Sequence, residues 1–401
     1  MMNKRTGMIL AAMVAILVMA AMACQQKEEP APKAVPKAKQ NAMTELQKKA
    51  DAKKFEVCYG SFAKAAAKTV KINEKPYIIE GSTLKPPADE DKGAVLGIVS
   101  DMKASSPNNM SAMKEYLDFF KAAGVEMILV LGDTAEMRKD YVSLLSILLD
   151  SGLPVGVITG NRDPLSAYAD AVNELSAKYP NFINMNQIRV IDSEDFNVVS
   201  LPGYHDIRYV HHKKDACVYG EKEIAELGAK IGEMAGEPVV LISHGPPKGE
   251  GKEALDYAFS GGNVGDPKLA KLIAEKNIPF GLFGNIHEAG GKAVAKDLKT
   301  LVAPNTMSDS LFINVGPGDT DPWNMNDNTV SYGMATVMKI EGNKASYKTY
   351  RRKNGNGAEP AENKKPATPD EMLKKPLKLQ PKAAGTKTGL KLDTNKKPVA
   401  N

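Results

Sequence analysis

The feature that most constrains this chain is a set of short apolar runs, each stopping on a polar residue able to bind a metal. AVLGIVSD ends at Asp101, VEMILVLGD at Asp133, PVGVITGN at Asn161, PVVLISHG at His244, and FGLFGNIH at Asn285 and His287. Such a run reads as a buried strand that breaks into a tight polar turn. Amphipathic stretches separate the runs: Met113, Leu117 and Phe120 share one helical face, and Leu144, Leu145 and Leu148 another. Further helix-like segments extend to Lys178, over 221–235 and over 267–276. QIRVIDSEDFNVVSLPG is strand-rich, and YGMATVMKI and KASYKTYR flank EGN as a hairpin. This alternation predicts an α/β domain with additional β structure. In open α/β sheets the ligand site lies at the carboxyl ends of the strands, so these polar residues are expected to converge on one edge of one sheet. Singly, Asp101 and Asp133 also read as helix caps, Asn161 as a left-handed turn residue, and the histidines as satisfied polar groups. Their joint occurrence at successive strand ends favours a common site.

The ends of the chain are of a different kind. Lys4 and Arg5 precede GMILAAMVAILVMAAMAC, in which the small residue Ala23 stands before Cys24, and QQKEEPAPKAVPKAKQ follows. The apolar run is shorter than the roughly 18 residues of a spanning helix, so residues 1–23 read as a signal peptide. The segment resembles a bacterial lipoprotein signal, in which the cysteine after the cleavage site is lipidated, although Ala21 stands where such signals usually carry Leu. The expectation is a protein tied to the membrane by lipid on Cys24, in the bacterial cell envelope, periplasmic or surface-exposed; an uncleaved membrane anchor is the alternative.

Residues 24–54 read as a Lys-, Pro- and Ala-rich tether, 55–350 as the folded domain, and 351–401 as a basic tail with few aromatics. The net charge of +5 sits largely in that tail, and the domain lacks the basic stripe with interleaved aromatics that nucleic-acid recognition needs. Cys58 and Cys217 remain. An oxidising compartment permits a disulfide between them; two buried free thiols are the other reading, and the sequence leaves both open.

The series SDMK, LGDTAE, TGNRD, SHGPP and FGNIHEAGG, in that order, resembles the five blocks of the calcineurin-like metallophosphoesterases. SHGPP with the later IHEAGG is similar to a small-phosphodiesterase branch, and FINVGPG to its downstream strand and turn. The resemblance implies a four-layer β-sandwich, two mixed sheets face to face with helices outside. It also implies two divalent ions of the Mn, Fe or Zn class that clamp a phosphate and lower the pKa of the attacking water. Carried over, Asp133 would bridge the ions, Asp101 and His287 would hold the first, and Asn161 and His244 the second. The substrate class implied is a phosphorylated small molecule.

Three positions depart from the family pattern: Lys103, Arg162 and Asn285 each stand where the family has histidine. An ammonium cannot ligate a metal, and at about 4 Å from a divalent ion an effective dielectric near 20 gives about 8 kcal/mol of repulsion. The expectation is therefore one ion rather than two, with Lys103 between Asp101 and Asp133 as a fixed positive charge. Asn285 keeps an oxygen that can ligate. Arg162 cannot shuttle protons near neutral pH but can clasp a phosphate with two parallel hydrogen bonds; the alternative is an ion pair with Asp163. Lys103, Arg162 and Asp163 are thus the catalytic candidates. Weaker candidates are His205, for the border of the site, and His211 and His212, which read as a polar loop cluster rather than as ligands. A phosphoesterase of reduced activity and a non-catalytic module that binds a phosphorylated ligand or serves as an envelope scaffold both remain open.

Overall fold

The computed structural model describes residues 57–88, 93–234 and 236–353. Cys24, the apolar run before it, the whole tether and nearly all of the basic tail lie outside the described residues. Among the described residues no helix is long and apolar enough to cross a membrane.

In chain order the elements are β1 (Lys68–Ile72), β2 (Lys75–Glu80), β3 (Thr83–Lys85), β4 (Gly93–Val99), α1 (Pro107–Ala123), β5 (Met127–Val130), α2 (Arg138–Leu149), β6 (Val155–Val157), α3 (Leu165–Lys178), β7 (Phe182–Asn184), β8 (Val190–Asp192) and β9 (Asn197–Leu201). There follow α4 (Glu221–Gly232), β10 (Val239–Ser243), β11 (Tyr257–Ala258), β12 (Gly262–Asn263), α5 (Pro267–Glu275), β13 (Phe280–Phe283), β14 (Lys292–Val294), β15 (Leu311–Asn314), β16 (Trp323–Asn324), β17 (Val330–Ser331), β18 (Met334–Glu341) and β19 (Lys344–Arg351).

Two large mixed sheets result. One runs β1-β2-β3-β8-β9-β10-β13-β15-β14 and the other β19-β18-β4-β5-β6-β7. Within them β9, β10, β13 and β15 are parallel, as are β4, β5, β6 and β7. Leu96, Ile98 and Leu129 of one sheet pack with Val240, Ile242, Leu282 and Ile313 of the other in one buried cluster between the sheets. The outer faces are covered by helices: Tyr116, Phe120, Leu144, Leu148 and Leu175 pack on β4, β5 and β6, while Leu227, Leu269 and Leu272 pack on β9 and β10. This is the layered α/β architecture read from the sequence, with one correction. The polar strand ends do not share one sheet: Asp101, Asp133 and Asn161 follow β4, β5 and β6, whereas His244, Asn285 and His287 follow β10 and β13. Because each sheet is buried on both faces, a continuous apolar run carries no mark of the sheet it joins.

Helix ends are defined locally. Ser106 caps α1 by accepting from the Asn109 backbone N–H, Pro107 opens the helix and Gly124 closes it with φ 73°. The hairpin of β18 and β19 pairs Glu341 with Lys344 across the Gly342–Asn343 turn. The β1–β3 meander at the edge of the larger sheet escaped the sequence reading, although Lys68–Ile72 and Lys75–Glu80 are joined by an Asn73–Glu74 turn with φ 49° and 62°.

Cys58 and Cys217 are bonded to each other, and both are buried. The bond closes a loop across a sequence separation of 159, and such a cross-link typically contributes about 2–4 kcal/mol by restricting the unfolded chain. It also ties the first described residues to the segment between β9 and α4.

Candidate metal centre

Asp101, Asp133 and His244 are all buried, and their ligand atoms lie within 4.8 Å of one another. Backbone geometry sets them there. Asp101 has φ 56°, Asp133 49° and Asn285 62°, so three strand ends turn through the left-handed region. Asp and Asn tolerate this conformation better than other non-glycine residues, which accounts for those residue types at those turns. Lys103, at φ 64°, has no such tolerance. Its backbone is held by its own N–H, which donates to the Asp133 carbonyl at 3.0 Å. Strain of this kind clusters at functional sites. Two glycines make room: a Cβ on Gly160 would lie 2.4 Å from Asp133 Oδ1, and one on Gly284 2.1 Å from Ser100 Oγ.

Each side chain has defined partners. His244 Nδ1 faces the Leu131 carbonyl at 2.8 Å, which leaves Nε2 directed at Asn161 Oδ1 (2.8 Å) and Asp133 Oδ1 (3.3 Å). The Asn161 amide is oriented by its other end, since Nδ2 donates to the Tyr209 carbonyl at 2.9 Å. Asp101 Oδ2 accepts from Ser100 Oγ (2.7 Å) and the Asn285 backbone N–H (3.0 Å), and Oδ1 faces His287 Nε2 at 3.0 Å. Burial opposes charge on His244, yet the carboxylates of Asp133 and Asp101 push its pKa up to about 10. Burial likewise works against ionised Asp101, but His287 and His244 hold its pKa below the usual carboxylate range. Two carboxylates buried beside one imidazole form a donor set whose charge a divalent cation would neutralise, and O and N donors suit Mn, Fe or Zn. These residues therefore fit one ion between Asp101, Asp133 and His244, with Asn161 Oδ1 adjacent.

Among the described residues this is the one group of three carboxylate or imidazole ligands that gathers, and His287 Nε2 lies beside it on Asp101. Lys103 does not bridge Asp101 and Asp133. Its Nζ pairs with Asp319 Oδ2 at 2.6 Å and lies 4.3 Å from the centre of the Trp323 ring. The reason is shape: Trp323 Nε1 donates to Asp319 Oδ1 at 3.0 Å, which fixes a buried carboxylate where the lysine can reach it. His287 packs its ring against the same tryptophan, centroids 4.1 Å apart. Burial raises the pKa of Asp319, and Lys103 counteracts it. Asn285 is oriented by its other end, since its Nδ2 donates to the Tyr204 hydroxyl at 2.8 Å, which leaves Oδ1 as its metal-competent atom.

Arg162 pairs with Glu136 at 2.6 Å rather than with Asp163, and its backbone N–H donates to Asp133 Oδ1 at 2.8 Å. Asp163, read from the sequence as catalytic, is instead the clamp of two turns. Its carboxylate accepts from the backbone N–H groups of Asp133 (2.8 Å), Thr134 (2.9 Å), Ala135 (3.3 Å) and Gly160 (2.6 Å), and from the Tyr141 hydroxyl. It is 1% exposed, with both oxygens occupied by these donors, so it positions Asp133 and does not face a substrate. Burial and Asp133 push its pKa up to about 6.

Among the loop residues, Tyr204 touches the centre through Asn285, whereas His205 stacks on Tyr204 and has its pKa lowered by burial. The His211 backbone N–H donates to the Asn161 carbonyl at 3.0 Å, and His212 stands 3.7 Å from Glu136. Asp319, Trp323, Glu136 and Tyr204 were missed in the sequence. For Asp319 and Trp323 the available signal was the polar GDTDPW segment after FINVGP, which follows a strand in the same manner as the recognised turns, and Glu136 closes the LGDTAE block.

The family model described as calcineurin-like phosphoesterase matches residues 95–289. No curated protein matches the sequence. Similar solved structures include a dimetal phosphatase from Danio rerio, 12% identical, covering 65% of this chain and 99% of that one with a TM-score of 0.39. Purple acid phosphatase PPD1 from yellow lupin (Lupinus luteus) seeds is 13% identical over 69% of this chain and 56% of that one, TM-score 0.40. GAP50, the anchor in the inner membrane complex of Plasmodium, is 12% identical over 65% and 85%, TM-score 0.43. With all five sequence blocks on strand ends and the family model spanning them, residues 95–289 of this chain are a calcineurin-like phosphoesterase domain.

Proposed function

We propose that this protein is a phosphoesterase of reduced activity that works with one divalent ion on a phosphorylated small molecule. The observation that carries the reading is the buried Asp101, Asp133 and His244 cluster beside a lysine already committed to Asp319. Asp133, His244 and Asn161, with Asp101 alongside, would hold the ion. A bound ion of the Mn, Fe or Zn class supplies a polarised phosphoryl oxygen and a water of lowered pKa. The chain's own residues do the rest. Arg162, anchored to Asp133 through its backbone and to Glu136 through Nη2, presents a fixed cation for the phosphate; its Nε is buried without a hydrogen-bond partner among the described residues. Guanidinium holds its protons, so the site has no acid at this position for a poor leaving group. General acid catalysis is worth about 10² to 10⁴ in rate, and the expected pattern follows. With manganese, the protein cleaves bis(p-nitrophenyl) phosphate, whose leaving group needs no proton, at least 100-fold faster than a dialkyl phosphate. Asp133→Asn abolishes both reactions. Equal rates on the two esters would overturn the missing-acid account.

A second reading is favoured by one specific observation: both cations near the centre are engaged by carboxylates, Lys103 by Asp319 and Arg162 by Glu136. In that case the domain binds a phosphorylated ligand without turnover, and phosphate binds the manganese-loaded protein while no p-nitrophenolate appears above the Asp133→Asn background.

The site is proposed to work at the bacterial cell envelope, held by lipid on Cys24, as the run GMILAAMVAILVMAAMAC supports. Cys24→Ser is expected to move the protein from the membrane fraction to the aqueous fraction; unchanged partitioning would refute lipid anchoring.

A further inference from the structure

Eight large apolar side chains are exposed among the described residues, and four of them, Met137, Ile207, Tyr209 and Phe259, sit on segments attached to the metal centre. They are between 40% and 51% exposed. Met137 follows Glu136, the carboxylate that holds Arg162. The carbonyl of Tyr209 accepts from Asn161 Nδ2, with Ile207 in the same turn. The Phe259 backbone N–H donates to Glu288 Oε1 at 3.3 Å, next to His287. Exposed apolar residues scattered singly need no explanation, but their concentration around one centre does. The loop with Ile207 and Tyr209 also presents Lys213 and Lys214, both exposed and without an ion pair among the described residues.

We propose that this rim is an apolar subsite, and that the centre takes phosphoesters whose substituent is an alkyl or aryl group of several carbons. The inference rests on the phosphoester reading above. Its chemistry is that of a ligand site with a few polar groups in the middle and apolar surface around them. The phosphate meets Arg162 and the ion, the lysines favour an anionic ligand, and the hydrocarbon leaves water against Ile207, Tyr209 and Phe259.

Calorimetric titration of the full chain with manganese tests this, using methyl phosphate and butyl phosphate as probes. Butyl phosphate is expected to bind about tenfold more tightly, the return on three extra methylenes about half removed from water. Ile207→Ser, on the Asn161 side, and Phe259→Ser, on the His287 side, should each lower that ratio, and together bring it below about threefold, since most of the removed contact surface is theirs. Equal affinities for the two probes in the wild type, or an undiminished ratio in the double variant, would overturn the subsite while leaving the phosphoester reading intact. Binding of neither probe would overturn both.

Discussion

Asp163→Ala is expected to destabilise the domain by about 4 kcal/mol and to abolish ion binding at Asp133, though Asp163 itself touches no ion. Its carboxylate is the acceptor for four backbone N–H groups and the Tyr141 hydroxyl, all buried. A buried donor left without a partner costs about 1–3 kcal/mol; water entering the space vacated by the carboxylate recovers part of the sum. The two clamped turns carry Asp133 on one side and Gly160 with Asn161 on the other, so releasing them also spreads the ligands. Asp163→Asn should recover little, because its amide nitrogen would point a donor at donors. Urea denaturation measures the first effect and manganese titration the second. A loss below about 1 kcal/mol, smaller than one typical unsatisfied buried group, would show that the clamp is dispensable.

The second large effect concerns ion number. Wild type is expected to hold one manganese per chain, because Lys103 lies beside Asp101 and has its own carboxylate in Asp319. Lys103→His alone would strand Asp319, 2% exposed in its side chain, without its counter-charge; breaking a buried pair in this way costs about 3–5 kcal/mol. The productive change therefore combines Lys103→His, Asp319→Asn, Arg162→His and Asn285→His. This variant is expected to bind two ions by elemental analysis and, with a proton donor restored, to hydrolyse a dialkyl phosphate about 10² to 10⁴ times faster than wild type. Two tightly held ions in the wild type would overturn the one-ion reading. A variant that gains the second ion yet stays inert would favour the binding-module reading.

How much of this was legible can be seen residue by residue. Strand ends were readable because an apolar run broken by Asp, Asn or His is a local pattern, and the left-handed φ at Asp101, Asp133 and Asn285 is a local demand met by those residue types. Arg162 and Lys103 were recognisable as cations in the right loops, but their partners were not. Glu136 lies 26 residues before Arg162, and Asp319 lies 216 residues after Lys103. No sequence spacing encodes such a pairing. Asp163 shows the opposite failure: its place beside Arg162 suggested chemistry, while its five donors come mostly from a turn near Asp133 that only folding brings to it.

The sequence by itself determined the alternating strands and helices that carry the site, the buried runs, the polar residue at each strand end and the resemblance that those blocks carry, since all of these depend on residues within one turn or strand of each other. Only the tertiary structure decided that two sheets, not one, supply the centre, that Cys58 meets Cys217, and that Lys103 belongs to Asp319. The physical reason is common to all three. Each is a contact between segments far apart in the chain, and it is fixed by the shape and charge of buried surfaces after the sheets have packed. Such contacts leave no periodicity in the sequence, because the partner's position depends on the whole path of the backbone between them.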